Sequence, residues 1–253
     1  MSPRLAFALD AVHEAGRFTL AHFQTGVAVD IKSDESPVTV ADRGVERILR
    51  DRIASAFPQD AILGEEEGES VGQSGSQGRW VVDPIDGTKS FVFGVPLYSI
   101  LLAFERNGTL EIGVVGFPAL GEVVYAERGG GTYWNGRPCR VSSASQVRGG
   151  LVVCGSPGSL ADHGRLDGLL TIGRRAMATR TWGDAYGHCL VATGRAVAMI
   201  DPVLRYWDIA AVQVVVEESG GRCSDFAGRP NPKTEMISTN GLVHEEVLEA
   251  FQT

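Results

Sequence analysis

Residues 80–90 read Trp80-Val81-Val82-Asp83-Pro84-Ile85-Asp86-Gly87-Thr88-Lys89-Ser90, an apolar strand that runs directly into two carboxylates and a turn. Asp83 closes the strand. Pro84 has no N–H to offer a neighbour and holds φ at about −65°. Asp86 follows three residues after Asp83, so both carboxylates can turn toward one point. Gly87-Thr88 then allows a close backbone approach. If a helix begins here, its free N–H groups face outward and carry partial positive charge, which suits a phosphate. Hard carboxylate oxygens beside a phosphate cradle describe a magnesium site.

Two more acidic segments lie to either side. Gly64-Glu65-Glu66-Glu67-Gly68 follows the apolar Ala61-Ile62-Leu63, and Trp207-Asp208 heads a helical pattern. Asp42, in the first turn of an earlier helix, is a possible fourth contributor. Each alone has an ordinary reading: a solvated loop, a turn, a helix N-terminal charge. Together they pose an electrostatic problem, because two carboxylates 4 Å apart repel by about 4 kcal/mol at an effective dielectric of 20. Two or more Mg²⁺ ions would remove that cost and leave positive charge for a phosphate ester.

The flanking sequence supplies a layered scaffold. Residues 3–23 and 40–57 carry apolar residues at helical spacing. Ser2-Pro3 starts the first helix, and Thr39 with Asp42 makes a capping box at the second. Runs 97–104, 110–117 and 122–128, separated by Asn107-Gly108 and by Pro118 to Gly121, predict an antiparallel meander. Asn135-Gly136 predicts a further hairpin, and glycines 129–131 a turn. The second half predicts strands at 151–153, 176–180, 196–200 and 222–225. It predicts helices at 160–171, 183–193, 207–219 and 242–252. That alternation is an α/β pattern. The Gly/Ser-rich run 69–78 reads as a loop that could serve as a lid.

Composition narrows the class. The 253 residues are 43% hydrophobic and 21% charged, with 32 glycines and a formal net charge of −8. We therefore expect one unit over 1–253, with helices and an antiparallel sheet in 1–145 and α/β layers in 146–253. The acidic balance argues against nucleic acid or an anionic membrane as partner. Cys139, Cys154, Cys189 and Cys223 form no CxxC, so reduced thiols are expected rather than a disulfide framework. The N-terminal segment is charged throughout, and no run of 18 apolar residues occurs, so the expected compartment is the cytoplasm. Asn107-Gly-Thr109 fits a glycosylation sequon but reads as a turn. No GxSxG elbow or HExxH supports other hydrolytic chemistry.

GEE at 64–66, DPIDGT at 83–88 and WDIAA at 207–211 resemble, in order and spacing, the inositol monophosphatase-like family of Mg²⁺-dependent phosphatases, and the match spans nearly the whole chain. The resemblance implies an α/β fold, an αβαβα layered sandwich with mixed and antiparallel sheets. It implies that Glu65, Asp83 and the Ile85 carbonyl bind one metal, and Asp83, Asp86 and Asp208 a second. A third, weaker site would lie by Glu65. Gly87 and Thr88 would hold phosphate through backbone N–H groups. Glu65, the Thr88 hydroxyl and Asp42 would be catalytic, for in-line attack by water without a phospho-enzyme. The family often forms homodimers.

Finer detail is similar to the histidinol-phosphatase subgroup. DGTKSF at 86–91, the run Arg180 to Gly187 and Ile200-Asp201-Pro202 carry that likeness. Ala185 departs from it, standing where Cys is common. The implied substrate, L-histidinol phosphate of histidine biosynthesis, bears an ammonium group. Asp184 and Asp201 could bind that ammonium by charge-assisted hydrogen bonds, with Asp86 and Asp208 also at the substrate. Asp184 could instead cap a helix, and His188, one turn on, could reach the same pocket or be packed. Lys32 could approach the metals or stay solvated. Arg174 and Arg175 could meet the substrate of a neighbouring subunit or lie on the surface. The alternatives are an inositol-1-phosphate or broad sugar-phosphate phosphatase, or a non-enzymatic partner-binding protein on the same fold.

Overall fold

The computed structural model describes residues 1–33, 36–72 and 78–252. In chain order the first half contains α1 (Pro3–His22), β1 (Val29–Ile31), β2 (Pro37–Thr39), α2 (Val40–Ala56), β3 (Ala61–Gly64), β4 (Gly68–Ser70), β5 (Gly78–Asp86) and α3 (Thr88–Val92). Then come β6 (Ser99–Arg106), β7 (Thr109–Phe117), β8 (Glu122–Glu127), β9 (Thr132–Trp134) and β10 (Arg137–Cys139). The second half contains β11 (Leu151–Cys154), α4 (Pro157–Asp162), α5 (Leu166–Arg175), β12 (Ala178–Arg180), α6 (Asp184–Ala192) and β13 (Ala198–Asp201). It closes with α7 (Tyr206–Glu218), β14 (Arg222–Ser224), β15 (Met236–Thr239) and α8 (His244–Glu249).

Strand alternation sorts the side chains into layers. Among the described residues, an eight-stranded sheet has the order β10-β9-β8-β7-β6-β5-β3-β4. It is antiparallel except where β3 runs parallel to β5. On β5 and β6, Trp80, Val82, Leu102 and Phe104 point to one face and pack against Leu5, Val12, Val45 and Leu49 of α1 and α2. Val81, Leu101 and Ala103 point to the other and pack against Cys189 of α6 and Ile209 and Val212 of α7. This is the period of two expected of a strand. α7 sits close because Gly113 of β7 has no side chain: a Cβ there would lie 2.2 Å from the Ala211 carbonyl oxygen.

Behind α6 and α7 lies a second, five-stranded sheet in the order β12-β11-β13-β15-β14, with β11 parallel to β12 and β13. Val153 and Met199 face α6, whereas Val152, Cys154 and Ile200 face α4, α5 and α8. The layers are thus α1/α2, sheet, α6/α7, sheet, and α4/α5/α8, the αβαβα order.

Several predicted elements change on folding. The helix expected at 160–171 is two helices, broken around Gly164, which holds φ +66°, and continuing to Arg175. The closing helix is shorter than 242–252, because Gly241 turns at φ +82° and the Asn240 side chain receives the Leu242 and Val243 N–H groups. Strand β15 escaped the sequence pattern, as did the short β1–β2 ribbon. Of the expected 69–78 loop, Glu69 and Ser70 belong to β4, and 73–77 lie outside the described residues. The turns at Asn107-Gly108 and Asn135-Gly136 form as expected, all four residues having positive φ. The four cysteines are free thiols. No helix of the described residues is long and apolar enough to cross a membrane.

Candidate active site

The acidic segments meet because β5 is irregular at its end. Asp83 pairs with Leu101 and Asp86 with Ser99, so three residues on β5 span two on β6. In a regular strand, residues three apart point to opposite faces. The extra residue, at Pro84-Ile85, is a bulge, and it turns both carboxylates toward the α6/α7 layer. Asp208, in the first turn of α7, comes down onto them. One oxygen each of Asp83, Asp86 and Asp208 lies within 4.8 Å of the other two.

The surroundings fix this trio. Asp86 Oδ2 accepts from Ser99 Oγ at 2.8 Å and from the Ala185 backbone N–H at 2.8 Å. Asp208 Oδ2 accepts from the Arg205 N–H at 2.6 Å, so one carboxylate both closes the helix start and serves the site. Asp83 Oδ1 is buried with no hydrogen-bond partner. A lone buried carboxylate oxygen is costly unless a cation occupies it. Asp83 is driven well above the usual carboxylate range by burial, then by Glu65, Asp86 and Asp208. Asp86 is raised by burial and by Asp184 and Asp208. Asp208 is pushed to about 6, chiefly by burial. Hard oxygen donors, an orphaned oxygen and mutual repulsion fit a divalent cation.

Glu65 lines the same cavity but stands outside the trio. Its Oε1 accepts from Lys32 Nζ at 2.8 Å, and Glu66 Oε1 accepts from the same ammonium at 2.6 Å. Lys32 is therefore ion-paired rather than solvated. Fully buried Glu46 receives the Glu66 N–H at 2.7 Å and the Glu67 N–H at 3.0 Å, and Arg50 Nε at 2.8 Å, and so pins the acidic turn to α2. The sequence singled out neither Glu46 nor Ser99. Glu46 lies one turn beyond Asp42 on the same helix face, the one signal available.

Thr88 opens α3. Its Oγ1 lies 3.1 Å from the Ile85 carbonyl oxygen and 3.4 Å from Asp42 Oδ1. The other oxygen of Asp42 accepts from the Thr39 N–H at 2.7 Å and hydroxyl at 2.6 Å, completing the capping box. Burial raises Asp42, against the pull of the Thr39 bonds. Gly87 precedes with φ +78°, a conformation that costs other residues strain. A Cβ at Gly87 would also lie 3.0 Å from Asp184 Oδ2.

Asp184 begins α6 with φ +56°, unusual for a residue other than glycine. Gly183 occupies the cap position and no side-chain cap bond forms, so Asp184 does not cap the helix. It lines a cavity of about 560 Å³ together with Asp201, Glu65, Thr88 and the trio. Burial raises both Asp184 and Asp201, and Asp184 raises Asp201 further. A Cβ at Gly155 would lie 3.1 Å from Asp201 Oδ1, so a side chain there would press on that carboxylate.

His188 does not reach this cavity. It is 1% exposed, with Nδ1 2.8 Å from Ser238 Oγ, and burial pulls its pKa down to about 3. The neutral native ring refuses a proton that the unfolded chain accepts. Its stability contribution is therefore full above about pH 6.5 and lost as pH falls toward 3, by up to about 1.4 kcal/mol per pH unit. We expect urea midpoints of His188→Gln to fall less steeply than wild type between pH 6.5 and 4. Parallel curves would refute it. Arg174 and Arg175 lie exposed at the end of α5, Arg175 3.6 Å from Glu246, and neither lines the cavity.

The sequence model of the inositol monophosphatase family matches residues 1–253. A histidinol-phosphatase of Chlorobaculum parvum is 43% identical over 244 residues, covering 96% of this chain and 92% of the relative. A histidinol-phosphatase of Mycobacterium tuberculosis is 37% identical, with 96% of each chain covered. Among solved structures, the Thermotoga maritima IMPase superposes with a TM-score of 0.91 at 32% identity, covering 99% of this chain and 97% of that one.

Proposed function

We propose that this chain, which belongs to the inositol monophosphatase family, hydrolyses L-histidinol phosphate to L-histidinol and phosphate in histidine biosynthesis. Membership makes it a metal-dependent phosphate monoester hydrolase. The observation that carries the substrate assignment is the pair of half-buried Asp184 and buried Asp201, two carboxylates at the same cavity as the Asp83–Asp86–Asp208 trio. An ammonium group on the substrate offsets their burial cost, whereas a neutral polyol does not. The names of the bacterial relatives support the same substrate.

Each residue then has a task. Asp83, Asp86 and Asp208, with Glu65 and the Ile85 carbonyl, would hold two or three Mg²⁺ ions. Such ions, when bound, stabilise charge on the phosphoryl group and lower the pKa of the attacking water. Gly87 and Thr88 N–H groups receive the phosphate oxygens. The Thr88 hydroxyl accepts a hydrogen bond from the water, with its own proton directed to Asp42. Asp184 and Asp201 orient the aminoalkyl end. The site draws on both halves of the chain, which supports one catalytic unit over 1–253. A homodimer in the cytoplasm is part of the same proposal.

The deciding experiment compares kcat/KM for histidinol phosphate and inositol 1-phosphate, with Mg²⁺ and with EDTA. We expect a preference for histidinol phosphate of about 100-fold or more, about 2.7 kcal/mol, and no turnover in EDTA. The reverse preference would make the chain an inositol-phosphate phosphatase. Activity that survives EDTA would overturn the chemistry.

A further inference from the structure

The cavity has a marked imbalance of charge. Glu65, Asp83, Asp86, Asp184, Asp201 and Asp208 line it, and Lys89 is the one cationic side chain among its described lining residues. Lys89 lies in the first turn of α3, directly after Gly87 and Thr88. It is solvent-exposed, and among the described residues its ammonium makes no hydrogen bond or ion pair. Lys32, by contrast, is already engaged between Glu65 and Glu66. Lys89 is near enough to Asp184 to draw that carboxyl down against its burial, and Asp184 in turn abuts Gly87. Among the described residues, an unpaired ammonium therefore stands at the cavity lining, beside the Gly87-Thr88 turn.

We propose that Lys89 is a substrate-binding residue that contacts the phosphate of the ester through its ammonium group; this rests on the phosphatase reading above. A lysine is a mobile point charge, suited to a dianion that arrives and leaves. Its partner is the phosphate, which every substrate shares, and not the organic end, which Asp184 and Asp201 face. Lys89 therefore governs how tightly any phosphate monoester binds. It also opposes the repulsion that the acidic wall exerts on a dianion before metal and substrate are all in place.

The test is calorimetric titration of inorganic phosphate into Mg²⁺-loaded wild type, Lys89→Met and Lys89→Arg, paired with kinetics on histidinol phosphate and p-nitrophenyl phosphate. We expect Lys89→Met to weaken phosphate binding about tenfold, about 1.4 kcal/mol, and to raise KM for both esters alike with kcat little changed. Lys89→Arg keeps the charge and stays within about threefold of wild type. Equal phosphate affinity in wild type and Lys89→Met would overturn the assignment. So would a KM effect confined to histidinol phosphate, which would place Lys89 at the organic end, or a wild type that binds no phosphate. Failure of the phosphatase reading is distinguishable, since it shows as absent Mg²⁺-dependent turnover in wild type, whereas the phosphate titration reads the contact without turnover.

Discussion

Asp83→Asn will lower kcat by about three orders of magnitude or more and, in the same protein, raise the thermal stability of the metal-free form. Both effects come from one side chain. Asp83 is 2% exposed, its Oδ1 lacks a partner, and Glu65, Asp86 and Asp208 all act on it with like charge. Asparagine has the same shape, carries no charge and offers an N–H to a neighbouring carboxylate. Replacing a buried carboxyl whose ionised form is disfavoured by burial and by its acidic neighbours should return roughly 1–3 kcal/mol, or roughly 3–10 °C in Tm for a chain of this size. Mg²⁺ should reverse the order. It binds the native wild type and stabilises it by mass action, while the variant has lost a ligand of the trio. Thermal melts of both proteins in EDTA and in saturating Mg²⁺, with kcat measured alongside, read all of this. A rate near wild type would remove Asp83 from the chemistry. An unchanged Tm in EDTA would mean that the buried Asp83 carboxyl costs the metal-free native state nothing.

The second large effect concerns the substrate's other end. Asp201→Asn should raise KM for histidinol phosphate by roughly 10- to 100-fold, the loss of one charge-assisted hydrogen bond to an ammonium group. The same variant should change KM for inositol 1-phosphate by less than about threefold, since a hydroxyl can bond an amide as readily as a carboxylate. Asp201 is 7% exposed, and Asp184 pushes its carboxyl up in addition to burial. A cationic substrate relieves that repulsion, so the loss should fall on the cationic substrate alone. Parallel losses on both substrates would show that Asp201 supports the cavity wall beside Gly155 rather than reading charge.

The sequence determined the chemistry's ingredients and the layers' outline. Alternation in Trp80-Val81-Val82 and the helical spacing of α1 and α2 are local properties, set by backbone periodicity, and both survive folding unchanged. The Thr39–Asp42 capping box is equally local and equally legible. So were the carboxylates themselves, because Pro84 and Gly87 mark a turn in any context. Only the tertiary structure decided how they meet. The β5 bulge is defined by pairing with Leu101 and Ser99 on another strand, and that pairing puts Asp83 and Asp86 on one face. Glu46 reads as an ordinary helix carboxylate until the turn at 65–67 folds over it, and Lys32 reads as solvated until Glu65 and Glu66 close around it. His188 shows the converse. Its place one turn after Asp184 leaves a shared pocket and core packing both open, and burial against Ser238 decides for the core. Hydrogen-bond partners distant in sequence leave no periodic trace, because their contact depends on how the layers stack.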